Sequence, residues 1–196
     1  MSTLQTPAAG MTTLPAAAGA TTRPLVIGLD LSLTSTGVAG EGWTDRIRTK
    51  TRGDIRLAHV IGRVASFIRR ADLVVMEGPS YGHAHLSGHE DLAGLRVLVR
   101  QFCHRHAIPY AVIPPSTLKL YGTGSGRATK GEVRSAVADR YGIHTEGAAR
   151  YDEADAYVAM AAGMHWLGFQ LAQVPERSEK GLAGVAWPEQ APAVAA

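Results

Sequence analysis

The sequence predicts an α/β fold on one mixed sheet: three antiparallel strands continued by parallel strands, flanked by helices. Three observations predict it. Residues 25–51 hold three short strand-like runs separated only by turns, the pattern of an antiparallel hairpin region. Beyond them, apolar runs alternate with segments of helical period, as parallel crossover units do. No internal repeat is apparent, so 196 residues with 45% hydrophobic content read as one domain around one core.

Each element has a local reason. Residues 25–31 form a first strand apolar enough to be central, and after a polar turn at 32–35 a second strand runs over 36–39. A third covers 44–51, where Arg46, Arg48 and Lys50 alternate with Asp45, Ile47 and Thr49 at the two-residue period of a strand charged on one face. Asp54 caps a helix in which Ile55, Leu57, Ala58, Ile61, Val64, Ala65 and Ile68 recur at helical spacing. A fourth strand ends at Glu77. The Gly-, Pro- and His-containing loop after it, 78–89, is long and polar enough to be functional. A helix over 90–106 leads to a strand over 110–113. Pro114, Pro115 and Ser116 start a short helix that Gly122, Gly124 and Gly126 break, and two more helices follow, over 129–141 and from 152 to about 171.

The ends differ from the middle. Residues 1–23 are Ala, Thr, Gly and Pro with one charged side chain, Arg23, so a disordered tail is expected, then a domain over 24–172 and a flexible tail over 173–196. Trp187 is the one residue of that second tail able to dock on a surface. The first tail has neither the basic start nor the apolar stretch of a secretory signal. No run approaches the roughly 18 apolar residues of a membrane span. The lone Cys103 cannot form an intramolecular disulfide, which fits a reducing compartment, so a cytoplasmic protein without membrane contact is expected.

Charge is distributed unevenly around a net +3. Arg46, Arg48, Lys50, Arg52, Arg56, Arg63, Arg69 and Arg70 face only Asp45 and Asp54, and residues 96–134 hold a second basic stretch. Acids collect over 146–155. Basic flanks around an acidic centre suit a polyanion held on its phosphates. The centre itself is four carboxylates: Asp30 and Glu77 close apolar strands, while Asp152 and Asp155 open a helix at a spacing that puts both on one face. Hard divalent cations, Mg²⁺ or Mn²⁺ as a substitute, would relieve that crowding, and two ions per site would suit phosphodiester chemistry. His83, His85 and His89 have no common zinc-site spacing and no cysteine beside them.

The segment from Gly28 to Gly37, the strand ending Met76-Glu77, the stretch Pro115-Ser116-Thr117-Leu118-Lys119 running on to Gly122-Thr123-Gly124 and Lys130-Gly131-Glu132-Val133, and Asp152-Glu153-Ala154-Asp155 together resemble the RuvC family of Holliday junction resolvases. The resemblance covers about residues 25–170. It implies a ribonuclease H-like fold, a homodimer, and Mg²⁺-dependent symmetrical nicking of four-way DNA junctions with Asp30, Glu77, Asp152 and Asp155 as the catalytic tetrad. Lys119, Arg127 and Lys130 in the glycine-rich stretch supply charge for DNA phosphates, with Lys130 at the scissile one; Arg46, Arg48 and Lys50 are further DNA-binding candidates. Two departures stand out. Leu31-Ser32 replaces the family's common Pro-Gly, and Ser80 stands where an aromatic wedge is common, with Tyr81 one residue later as wedge or surface ring. Two other functions share these residues: a ribonuclease H-like nuclease acting on RNA or single strands, and a non-catalytic junction-binding module. A helicase partner and the cleavage preference are not legible.

Overall fold

Strand β1 (Val26–Asp30) is buried along its whole length, which requires cover on both faces of the sheet. The computed structural model describes residues 23–79 and 88–189 and supplies that cover. After β1 come β2 (Ser35–Gly40), β3 (Trp43–Arg48), α1 (Gly53–Ile68), β4 (Leu73–Glu77), α2 (His89–Arg105), β5 (Tyr110–Ile113), α3 (Pro115–Thr123), α4 (Lys130–Tyr141), α5 (Arg150–Trp166) and α6 (Glu176–Leu182). The five strands lie in the order β3-β2-β1-β4-β5, antiparallel from β3 to β1 and parallel from β1 to β5. The mixed α/β sheet expected from the sequence is therefore the fold.

Alternation along the strands sorts the core into two layers. Ile27, Leu29, Val38, Ile47, Val74 and Met76 pack with Val60, Val64, Leu95, Val99 and Cys103 of α1 and α2. Val26, Ala39, Leu73, Val75 and Ala111 face the other way, toward α3, α4, α5 and α6. Helix α5 is buried without interruption from Ala154 to Met164, so it is the central helix of that layer, apolar all round rather than amphipathic.

Glycines let α5 lie unusually close to the sheet. A Cβ on Gly28 would stand 2.0 Å from the Ala156 carbonyl oxygen, and one on Gly37 would stand 2.1 Å from that of Asp152. Backbone touches backbone at both places, which fixes the depth of the helix to within a side chain's thickness.

Several expectations are corrected. Strand β3 ends at Arg48, so Lys50 lies past it. Asp54 sits inside the first turn of α1, whose N-cap is Arg52 without a side-chain hydrogen bond. Gly122 remains helical, because the space of its missing Cβ is taken by Val158 of α5; the break comes at Gly124, whose φ of 82° suits a left-handed C-cap. Helix α5 stops at Trp166, where Gly168 takes a φ of 85° and the Phe169 N–H reaches back to Met164 O at 2.8 Å. The apolar face of α2 packs into its own core: Leu95 and Val99 are buried, with Leu92 and Phe102 against them.

The expected flexible tail from 173 is corrected over α6. Ser178 is buried and its hydroxyl donates to Leu120 O at 2.8 Å, Leu182 and Val185 join the core, and Trp187 stacks on Trp166 with ring centres 5.0 Å apart and planes 7° apart. Spaced apolar residues suffice to dock a short Pro- and Glu-rich segment when a ready surface, here α3 and the end of α5, receives them.

Candidate active site

Strands β1 and β4 run parallel with Leu29 beside Met76, so one step further along the register sets Asp30 beside Glu77 at the carboxyl ends of both. Both point to the α5 side, since they share the parity of Val26 and Leu73. The first turns of α5 arrive at the same place because Asp152 rests on Gly37, which pairs with Asp30. Thr44 of β3 donates to Glu153 Oε2 at 3.1 Å and ties that turn down.

Carboxylate oxygens of Asp30, Glu77 and Asp155 lie within 4.8 Å of one another. Asp152 stands to one side of this trio and joins it through Lys130, whose Nζ is 3.6 Å from Asp152 Oδ1 and 3.5 Å from Asp155 Oδ2. Lys130 is held there by its own helix start: Thr129 and Glu132 form a reciprocal capping box, with the Glu132 N–H donating to Thr129 Oγ1 at 3.3 Å and the Thr129 N–H to Glu132 Oε2 at 2.6 Å. The first residue of α4 is thus placed by backbone geometry, leaving a half-exposed ammonium over the acids.

The cluster is short of positive charge. Burial, then the charge of Glu77 and a hydrogen bond with it, push the Asp30 carboxyl well above the usual carboxylate range. Glu77 is also raised, chiefly by burial. Asp155 is pushed up to about 7 by burial and by Asp30, with Lys130 opposing. For Lys130 burial acts downward, but Asp155, Asp30, Asp152 and Glu77 outweigh it and hold its ammonium above the ordinary lysine range. Three oxygen donors from three elements, withdrawn from solvent, destabilised as anions and sharing one lysine, are the donor set a hard divalent cation takes. The residues present fit such an ion, with Asp30, Glu77 and Asp155 as its holders.

Arg96 of α2 escapes the sequence reading. Its Nε is buried with no hydrogen-bond partner among the described residues, and its charge faces Glu77 and Asp30 while burial lowers its pKa. The signal was an arginine between Leu92, Leu95 and Val99 on the buried stripe of α2. Of the other expected residues, Lys119 is half-buried on α3, Arg127 is exposed in the turn before α4, and neither touches the trio in any ion pair among the described residues. Arg46 and Arg48 lie on β3 and Lys50 just beyond. Tyr81, Ser80, His83 and His85 lie outside the described residues. His89 opens α2, and His165 packs on Tyr121, with Nδ1 3.4 Å from its hydroxyl.

The sequence matches no family model and no curated protein. The fold, however, is similar to that of Thermus thermophilus RuvC, with a TM-score of 0.58 at 20% identity over 74% of this chain and 97% of that one. T. thermophilus RuvC in complex with Holliday junction substrate gives a TM-score of 0.59 at 21% identity, over 74% of this chain and 97% of that one. The chain has a RuvC-like fold. In this RuvC-like fold the acids sit where the parallel strands end and the central helix begins. Among the described residues no helix is long and apolar enough to cross a membrane.

Proposed function

We propose that this chain is a DNA endonuclease that nicks four-way junctions symmetrically as a homodimer, with Asp30, Glu77, Asp152 and Asp155 as its acidic site and Mg²⁺ as its cofactor. The observation that carries the reading is the convergence of Asp30, Glu77 and Asp155 within 4.8 Å under Lys130, in a fold shared with a RuvC bound to Holliday junction substrate.

When bound, divalent cations supply charge stabilisation to the attacking and leaving oxygens of a phosphoryl displacement. The chain's part is to present deprotonated carboxylates at a fixed depth. Gly28 and Gly37 set that depth through α5. Lys130 exchanges part of its attraction to Asp155 and Asp152 for the scissile phosphate, holding it in register with the acids. Asp152, half-buried to one side of the trio, would complete the ligand set or orient water. Lys119 and Arg127 add phosphate contacts from the glycine-rich stretch. A two-fold dimer presents two such sites to the two strands of one junction.

Incubation with labelled four-way junction, duplex, single-stranded DNA and RNA–DNA hybrid, with and without Mg²⁺, tests the proposal. Paired nicks at symmetrical positions in the junction alone, dependent on Mg²⁺, are expected. Cutting confined to the hybrid or the single strand would replace it with the general nuclease reading, and junction binding without nicks in any divalent metal would replace it with a binding module.

A further inference from the structure

Residues 115–129, which form α3 and the glycine-rich stretch after it, contain no acid, and their cations are Lys119 and Arg127. A third cation reaches this surface from another element. Helix α6 lies along α3: the Ser178 hydroxyl donates to Leu120 O at 2.8 Å, the carbonyl that also accepts from the Gly124 N–H at 2.8 Å, and Gly181 rests against the Leu120 side chain. At the edge of that contact Arg177 lies over the backbone of Gly124. A Cβ on Gly124 would stand 3.1 Å from Arg177 Nη2 and 3.4 Å from its Nε, and Gly124 is buried beneath while the next residue, Ser125, is exposed.

A cation beside a helix C-terminus commonly serves the last carbonyls. Here Arg140 of α4 already does so, donating to Tyr121 O at 3.3 Å and to Gly122 O at 2.8 Å. Arg177 makes neither a hydrogen bond nor an ion pair among the described residues. Its neighbour on α6, Glu176, pairs with Lys180 at 2.9 Å instead. Solvated arginines are common on surfaces, but this one is set by a docked helix over an acid-free turn, three residues from Arg127, with its fork of N–H donors unspent. Such a fork suits a phosphate oxygen pair.

We propose that Arg177 is a further phosphate contact for DNA, so that the grip assigned to Lys119 and Arg127 is shared by a third cation that α6 delivers. The choice of DNA as occupant rests on the endonuclease reading. The contact is electrostatic and independent of base sequence.

The test measures junction affinity across a salt series for wild type, R177A, R177Q and R177K. Loss of one contact should lower the log-log slope by about 0.9 in R177A and R177Q, R177K should retain it, and R127A/R177A should lose about 1.8. R177Q keeps much of the side chain that covers Gly124, so a slope lost there follows the charge and not the packing. Should a melting curve show that R177A fails to fold, R177Q decides in its place. R70A, at an exposed position just after α1 on the other layer, controls for net charge and should keep the wild-type slope. An unchanged slope in R177Q, or an equal fall in R70A, overturns the proposal. If wild type binds junctions but nicks none, the endonuclease reading fails, yet the slopes still decide Arg177. Absence of any DNA binding overturns both.

Discussion

The acidic cluster and the arginines of edge strand β3 lie at opposite ends of one row of paired residues, Asp30, Gly37 and Arg46, yet they are built in opposite ways. At one end Asp30 and Asp155 are buried and Glu77 half-buried, their pKa values raised, and their positions set by backbone contact through Gly28 and Gly37. At the other, Arg48 is exposed and Arg46 half-buried on an edge strand. The acidic end is rigid and carries an unfavourable charge, so its function lies in geometry. The basic end is solvated, so on the proposed substrate its contribution would be to affinity. Substitutions should therefore separate the two: changes at the acids alter rate and stability, and changes at the arginines alter binding and its salt dependence.

The largest effect is expected from Asp30→Asn. Loss of several kcal/mol of charge stabilisation lowers the nicking rate by about 10³-fold, while the metal-free protein melts at a higher temperature because a buried, crowded carboxylate is gone. Single-turnover nicking and thermal melts check both; a variant that is both active and unchanged in melting would remove Asp30 from the cluster. Gly28→Ala comes next. Its Cβ meets the Ala156 carbonyl, so α5 must move, and a stability loss of about 1–3 kcal/mol in urea unfolding is expected together with slower nicking. The same substitution at Gly62 of α1, where a Cβ meets nothing within 4 Å, should keep nicking at the wild-type rate.

A pH series sharpens the contrast further. The folded-state pKa values of Asp30, Glu77 and Asp155 lie above their ordinary values, so protonation favours the folded state. Stability of the metal-free protein should thus rise as pH falls through about 7, where Asp155 titrates, and be lost as pH rises through that value. Saturating Mg²⁺ should flatten this slope, and a metal-free protein whose melting temperature falls steadily from pH 8 to 6 would contradict the charge reading. Lys130→Ala is expected to slow nicking by roughly 10-fold while junction affinity changes less, because one contact adds little affinity but fixes the reacting phosphate. Arg127→Ala should give the smallest effect, a salt slope lower by about 0.9 with the melting temperature unchanged.

Much of this was legible before any coordinates. Asp30 and Glu77 follow apolar runs that can only be buried strands, and Asp152 and Asp155 precede an unbroken apolar segment, so all four belong at element ends. The helix expected over 129–141 already put Lys130 in a first turn, and the structure adds the Thr129–Glu132 capping box that fixes it there. What was not legible depends on tertiary contact. Spacing along the chain does not reveal that Asp152 stands apart from the trio, because that depends on how far α5 rolls over Gly37. Arg96 looked like surface charge because its partners come from strands nineteen or more residues away in the chain. Helix α6 was missed since Leu182, Val185 and Trp187 are too few to declare a helix without the surface that receives them.

The distribution of the three tryptophans gives the protein its own optical reporters. Trp166 and Trp187 lie face to face, nearly parallel, so their transitions couple and should give a paired exciton band in near-ultraviolet circular dichroism that vanishes when α6 leaves α3. Trp43 sits apart, stacked on Phe67 of α1 with Arg63 over the same ring. With Trp166 and Trp187 replaced by phenylalanine, its emission alone would follow the docking of α1 on β3 during unfolding in stopped flow.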